Sequence, residues 1–202
     1  MTETFKKAER RLYETAKPQQ GFFTTKQAIH AGFNEKTHSY HVRVGNWIRQ
    51  HYGIYRLAEF PTTERPDLML WYLWSQNRQK VPEGTYSRDT ALGLHELSDI
   101  MPSKLHITVP KHFRRNSGIP EILVLHKGDL SESDIQDMHG TRVTRPLRTI
   151  LDLLESDHLD RTLIRQAIDE AMRRGLITEK EIEALLHNEG QDSLRELVAQ
   201  RT

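Results

Sequence analysis

Lys36, Ser39, Tyr40 and Arg43 recur at the i, i+3, i+4, i+7 spacing that puts side chains on one stripe of a helix. They present an ammonium, two hydroxyls and a guanidinium, all able to donate hydrogen bonds. Such a stripe suits phosphate oxygens and the base edges of a duplex. Arg43 carries the planar fork that matches two acceptors on guanine, whereas Lys36, near the helix start, suits a phosphate. Lys26, Arg49 and Arg56 supply further cations for a nucleic-acid backbone, with His51 and Tyr52 as weaker contacts. The plainer alternative is a solvated helix face, with Arg49 and Arg56 paired to Glu59 or free in water.

A stripe of this kind needs a helix whose opposite face is buried, and two faces compete. Turning Tyr40 and Val44 inward would take Lys36 with them, at a desolvation cost. Turning His38, His41 and Val42 inward leaves the polar stripe outside, which is the face adopted here. The flanking sequence predicts the scaffold. Phe5, Ala8, Leu12 and Ala16 mark a helix over 4–16. Thr24 and Gln27 form a capping box that opens a second helix over about 25–31. Lys26 then lies at a helix start, where unpaired N–H groups favour a phosphate. Gly32 stops that helix, Phe33 packs back on it, and Asn34 caps a third helix running to about Val44, where Gly45 closes it. NWIRQHYGIYRLAEF reads as a hairpin about Tyr52 and Gly53, with Trp47, Ile48, Ile54 and Leu57 toward a core and Tyr55 facing either way. This order is that of a winged helix-turn-helix, whose third helix enters the major groove.

Charge divides the same way. The 202 residues carry a net +1, yet residues 1–60 hold ten Lys/Arg against five Asp/Glu, and residues 61–202 hold nineteen against twenty-three. The balances are +5 and −4, which suggests a polyanion-binding module joined to a separate acidic domain. His30, His38, His41 and His51 add to the basic part. With no cysteine there is no disulfide framework and no thiolate metal site, in keeping with a reducing cytoplasm. The charged opening MTETFKKAERRLYE does not resemble a secretory signal, and LMLWYLW is too short to span a bilayer, so no membrane partner is expected.

The expected organisation is α+β throughout: a winged helix-turn-helix domain over 1–61, a linker over 62–85 with a connecting helix at about 66–79, and a mixed α+β domain over 86–202. Ser87 reads as the N-cap of SRDTALGLHELS. Strands are expected at 104–110 and 121–128. A helix at 144–156 has Thr144 near its cap and Leu147, Ile150, Leu151 and Leu154 inside. Three more helices are expected near 159–174, 178–187 and 192–200. No Gly-rich phosphate loop, no His-Glu-x-x-His and no Gly-x-Ser-x-Gly occurs, and the spacing of Glu121 and Lys127 is wrong for a nuclease. The scattered histidines suggest no metal site, so a non-enzyme without cofactor or metal is expected. Lys111, Arg114 and Arg115 form a local basic patch that suits either nucleic acid or a solvated loop.

Taken in order, GFFTTKQAIHAGF, GNWIRQHYGIYRL, GTYSRDTALGLHEL, KLHITVP and VTRPLRTILDLLE resemble the AbiEi family, antitoxins and regulators of type IV toxin–antitoxin systems. The resemblance covers roughly residues 5–175. It implies a winged helix that binds double-stranded operator DNA and represses its own operon. It also implies a C-terminal domain that counters a toxin, typically a nucleotidyltransferase-like protein. Ser87, Arg88, Arg148, Thr149 and Asp152 are the candidates in that domain. Each also has a structural reading: Arg148 and Asp152 as an i, i+4 ion pair, and Ser87, Arg88 and His95 in capping and packing. The alternatives are a stand-alone winged-helix regulator without a toxin, and a protein-binding module without DNA function.

Overall fold

A strip of small and apolar side chains, Ala8, Leu12 and Ala16, gives α1 (Glu3–Ala16) one buried face. A 3-10 turn at Lys17–Gln19 ends it, and Gly21 at φ 82° redirects the chain into β1 (Phe22–Thr24). Gly21 has no room for a side chain, because an added Cβ would lie 2.5 Å from the Phe60 ring. Next come α2 (Thr25–Ala31), α3 (His38–Arg43), the hairpin strands β2 (Trp47–His51) and β3 (Ile54–Leu57), and α4 (Pro66–Trp74). The computed structural model describes residues 3–100, 102–115, 118–156, 159–186 and 195.

The chain is mixed α+β and divides into two units, Met1–Glu83 with His139–Thr141 and Gly84–Met138 with Arg142–Thr202. In the first, three strands pair in the order β1-β3-β2, all antiparallel. One face of this sheet carries Phe23 and Trp47, which join Ala8, Leu12, Ala16, Ala28, Ala31 and Phe33 in the core. The other face carries Phe22, Ile54 and Arg56, all buried, and α4 packs against β1 and β3. The region expected as a linker over 62–85 therefore belongs to this unit as far as Glu83. Its helix stops at Trp74 rather than near residue 79. The Ser75 hydroxyl donates to the Tyr72 carbonyl at 2.7 Å, and a turn closes through a bridge between Gln76 and Pro82.

The second unit holds β4 (Thr85–Tyr86), α5 (Arg88–Leu94), β5 (Leu105–Val109), β6 (Leu123–Lys127), β7 (Ile135–Met138), all but the first residue of β8 (Thr141–Thr144), α6 (Pro146–Ser156), α7 (Arg161–Arg173) and α8 (Glu179–Leu186). Its five strands run β6-β5-β4-β8-β7, with β5 parallel to β6 and β4 parallel to β8. Leu92, Ile150, Leu153, Ile164, Ile168, Ile177 and Ile182 knit the four helices into one core. The helix expected from residue 144 begins at Pro146, because Thr144 is the last residue of β8. The helix expected over 192–200 lies, apart from Arg195, outside the described residues.

Candidate nucleic-acid interface

The Asn34 side chain accepts from the Lys36 N–H at 3.0 Å and starts the segment, as a cap should. The first turn is 3-10 (Glu35–Thr37), and α3 proper follows. Gly45 at φ 81° lets the Asn46 N–H reach back to the His41 carbonyl at 3.0 Å, which stops the helix and aims the chain into β2. The inner face of α3 is aromatic. His41 stacks on Trp47 at 4.6 Å between centroids, and His38 meets Trp47 at 5.1 Å and Tyr55 at 5.8 Å, edge to face. This anchorage decides the orientation. Lys36, Ser39, Tyr40 and Arg43 all face solvent, with the Arg43 guanidinium 5.7 Å from the Tyr40 ring centroid.

The hairpin is tied to the start of α2. Gly53, at φ 71°, offers its carbonyl to the Thr25 N–H at 2.9 Å. Tyr52 at the tip is 83% exposed, and the Arg49 guanidinium lies 5.7 Å from its ring centroid. Lys26, Lys36, Arg43 and Arg49 are all exposed and enter no ion pair among the described residues. The N–H groups on either side of Lys26 are taken within the chain: Thr25 is bonded to Gly53 at 2.9 Å, and Gln27 bonds the Thr24 hydroxyl at 3.3 Å inside the expected capping box. The Lys26 N–H has no such partner among the described residues, so Lys26 can offer a phosphate that N–H as well as its ammonium.

Arg56 leaves the candidate surface altogether. It is buried, donating to the Phe60 carbonyl at 2.6 Å and the Thr62 hydroxyl at 3.3 Å. It shares the sheet face of Ile54, which the α4 side covers, so its charge cannot reach a nucleic acid. Ile48, expected in the core, is 41% exposed instead.

In the second unit the candidates are mostly internal. Ser87 is fully buried and has cap-like backbone angles, yet its hydroxyl accepts from Thr108 at 2.8 Å instead of capping α5. Arg88 holds a left-handed φ of 52°, and its guanidinium donates to the Asp152 carbonyl at 2.9 Å. Arg148 meets the Asp152 carboxylate at 2.7 Å, so two arginines converge on Asp152. Burial pushes the Asp152 carboxyl above its ordinary range, with Arg148 and Arg88 pulling the other way. Thr149 is buried and bonds the Thr144 hydroxyl at 2.7 Å. His95 reaches the Thr144 carbonyl at 2.7 Å, and burial holds its imidazole below the usual value. One arrangement was not foreseen. His106 lies 3.8 Å from Asp89 and 3.1 Å from His126, brought there by the parallel register that sets Thr108 opposite His126. The basic patch is partly offset, since Lys111 pairs with Asp129 at 3.2 Å. Among the described residues no cluster of His, Cys, Asp or Glu is arranged to hold a metal ion, and no helix is long and apolar enough to cross a membrane.

No protein-family profile matches the chain, and no curated protein matches it. Among solved structures it is similar to the crystal structure of the Rv2827c protein from Mycobacterium tuberculosis, at 16% identity and a TM-score of 0.44, covering 98% of this chain and 72% of that one.

Proposed function

We propose that the first unit is a winged helix-turn-helix that binds double-stranded operator DNA, and that the chain is a non-catalytic cytoplasmic repressor of its own operon and the antitoxin of a type IV toxin–antitoxin system. The observation that carries the DNA half is the two-sided α3, with an anchored aromatic face inside and Lys36, Ser39, Tyr40 and Arg43 outside. Arg49 on the hairpin and Lys26 on α2 add cations for flanking phosphates, and the Thr25–Gly53 bond holds those two elements together. The sheet order β1-β3-β2 and the +5 balance of residues 1–60 support the same reading.

The test is an anisotropy titration with duplexes from upstream of the gene. Each neutralised phosphate should contribute about −0.9 to the slope of log K against log salt. Absence of binding at low salt to every upstream fragment overturns the DNA half.

The antitoxin half rests on the family resemblance and on the acidic balance of the second unit. Its partner would be a nucleotidyltransferase-like toxin. Co-expression with the toxin tests it: the second unit should relieve growth arrest, and the first unit alone should not. Rescue by the first unit only would mean that protection comes from repression.

A further inference from the structure

Helix α3 buries two imidazoles where plain hydrocarbon would pack at lower cost. His38 is 3% exposed, and both its ring nitrogens are buried without a hydrogen-bond partner. His41 is 5% exposed, and among the described residues its ring hydrogen-bonds only the Asn46 amide, 3.3 Å from Nδ1. A buried, unpartnered polar group is a penalty that phenylalanine in the same aromatic cage would avoid. We infer that the pair makes DNA binding by α3 sensitive to pH: neutral imidazoles seat the helix against Trp47 and Tyr55, and protonated ones unseat it and release the duplex. This rests on the reading of α3 as the DNA-contacting helix.

The surroundings favour the neutral forms. Burial is the main influence on both rings and lowers both pKa values. For His38, Glu35 in the preceding turn opposes that shift and His41 adds to it; for His41, Glu9 on α1 opposes it. Tyr55 from β3 is the other titratable neighbour of His38, and Trp47 from β2 carries no charge. Arg10 and Glu59 line a cleft of about 540 Å³ with His41. A second cleft of about 690 Å³ shares Glu9, Phe33, His41 and Asn46 with the first, so water reaches the edge of the cage from two sides.

The sign follows from the direction of the shifts. Both folded-state values lie below the ordinary histidine value of about 6.5, so the unfolded chain takes up protons first. The packing beneath α3 is intact above about pH 6.5 and is lost as pH falls through that value toward the folded ones. Simple electrostatics predicts the reverse, since any positive charge gained in acid strengthens attraction to a polyanion.

The experiment measures duplex affinity of the full chain at constant ionic strength from about pH 8 to about pH 5.5, with imidazole C–H resonances followed in the same samples. Wild type should weaken roughly tenfold or more, the effect of about one unit of differential protonation. His38→Phe and His41→Phe should each reduce that loss, and the double variant should bind at least as well in acid as at pH 8. Should His38→Phe fail to fold, His41→Phe and the wild-type profile still decide. Wild-type affinity that holds or rises in acid overturns the inference, as does a double variant that keeps the full loss. Absence of binding at about pH 8 removes the DNA reading itself and this inference with it, a different result from binding that persists in acid.

Discussion

Arg43 and Arg148 both sit on helices within one turn of a potential partner, and the two units employ them in opposite ways. Arg43 lies over the exposed ring of Tyr40 and keeps its charge in water. Arg148 is spent on Asp152, a carboxylate only 3% exposed, with Arg88 drawn to the same residue. A free guanidinium on a helix flank adds little to folding and remains available to a ligand, whereas one tied to a buried acid is part of the fold. Within the first unit the same division separates Arg49, exposed on β2, from Arg56, buried on β3. Composition counts all four alike; exposure separates surface charge from structural charge.

The sharpest way to break this comparison is Arg148→Ala. It should cost about 3–5 kcal/mol, because Asp152 is left buried with its main partner gone. Thermal melting reads the loss, and duplex affinity of the surviving folded protein should not change. Unchanged melting with failed toxin neutralisation would move Arg148 from scaffold to contact surface. The pH dependence of the deficit adds a check. Asp152 has a raised folded-state pKa, so its contribution is fully present below about pH 3.8 and is lost as pH rises through the folded value. Removing Arg148 raises that value further, so the melting deficit of the variant should shrink toward about pH 4.

Arg56→Ala should come next, at about 1.5–3 kcal/mol of stability for two charge-assisted bonds, with no change in the salt slope of DNA binding. A slope that drops by a full contact would return Arg56 to the DNA surface. Arg43→Ala should leave melting unchanged and cost roughly 1–3 kcal/mol on the specific duplex, with much less lost on random DNA. An unchanged ratio of the two affinities would mean that the wrong side of α3 has been assigned to the bases. The smallest effects belong to Lys36→Ala and Arg49→Ala, each expected to weaken all duplexes alike and flatten the salt slope by about one contact.

How much of this could be read before the structure depended on whether the signal was local. The capping box at Thr24, the stop at Gly32, the cap at Asn34 and the inward turn of His38 and His41 are decided within a few residues, and they stand as read. Arg56 was misjudged for a non-local reason. Alternation along β3 already puts it beside Ile54, but the cover on that face comes from the stretch taken for a linker. The strands β1 and β4, with three and two residues, are too short to show a period. In the second unit the Arg148–Asp152 pair was visible as i, i+4 spacing, but the approach of Arg88 across 64 positions was not. The pairing of Ser87 with Thr108 likewise depends on sheet pairing that no single segment encodes.

The split character of α3 has a consequence for how such a protein can diversify. The outward positions Lys36, Ser39, Tyr40 and Arg43 take no part in the hydrophobic core, which is held by the opposite side of the helix. A lineage can therefore exchange these four letters with little penalty in foldedness while its framework stays the same. If α3 is the DNA-contacting helix proposed above, such exchanges would change the target, and a different stripe could be grafted onto these positions with the histidine face left untouched.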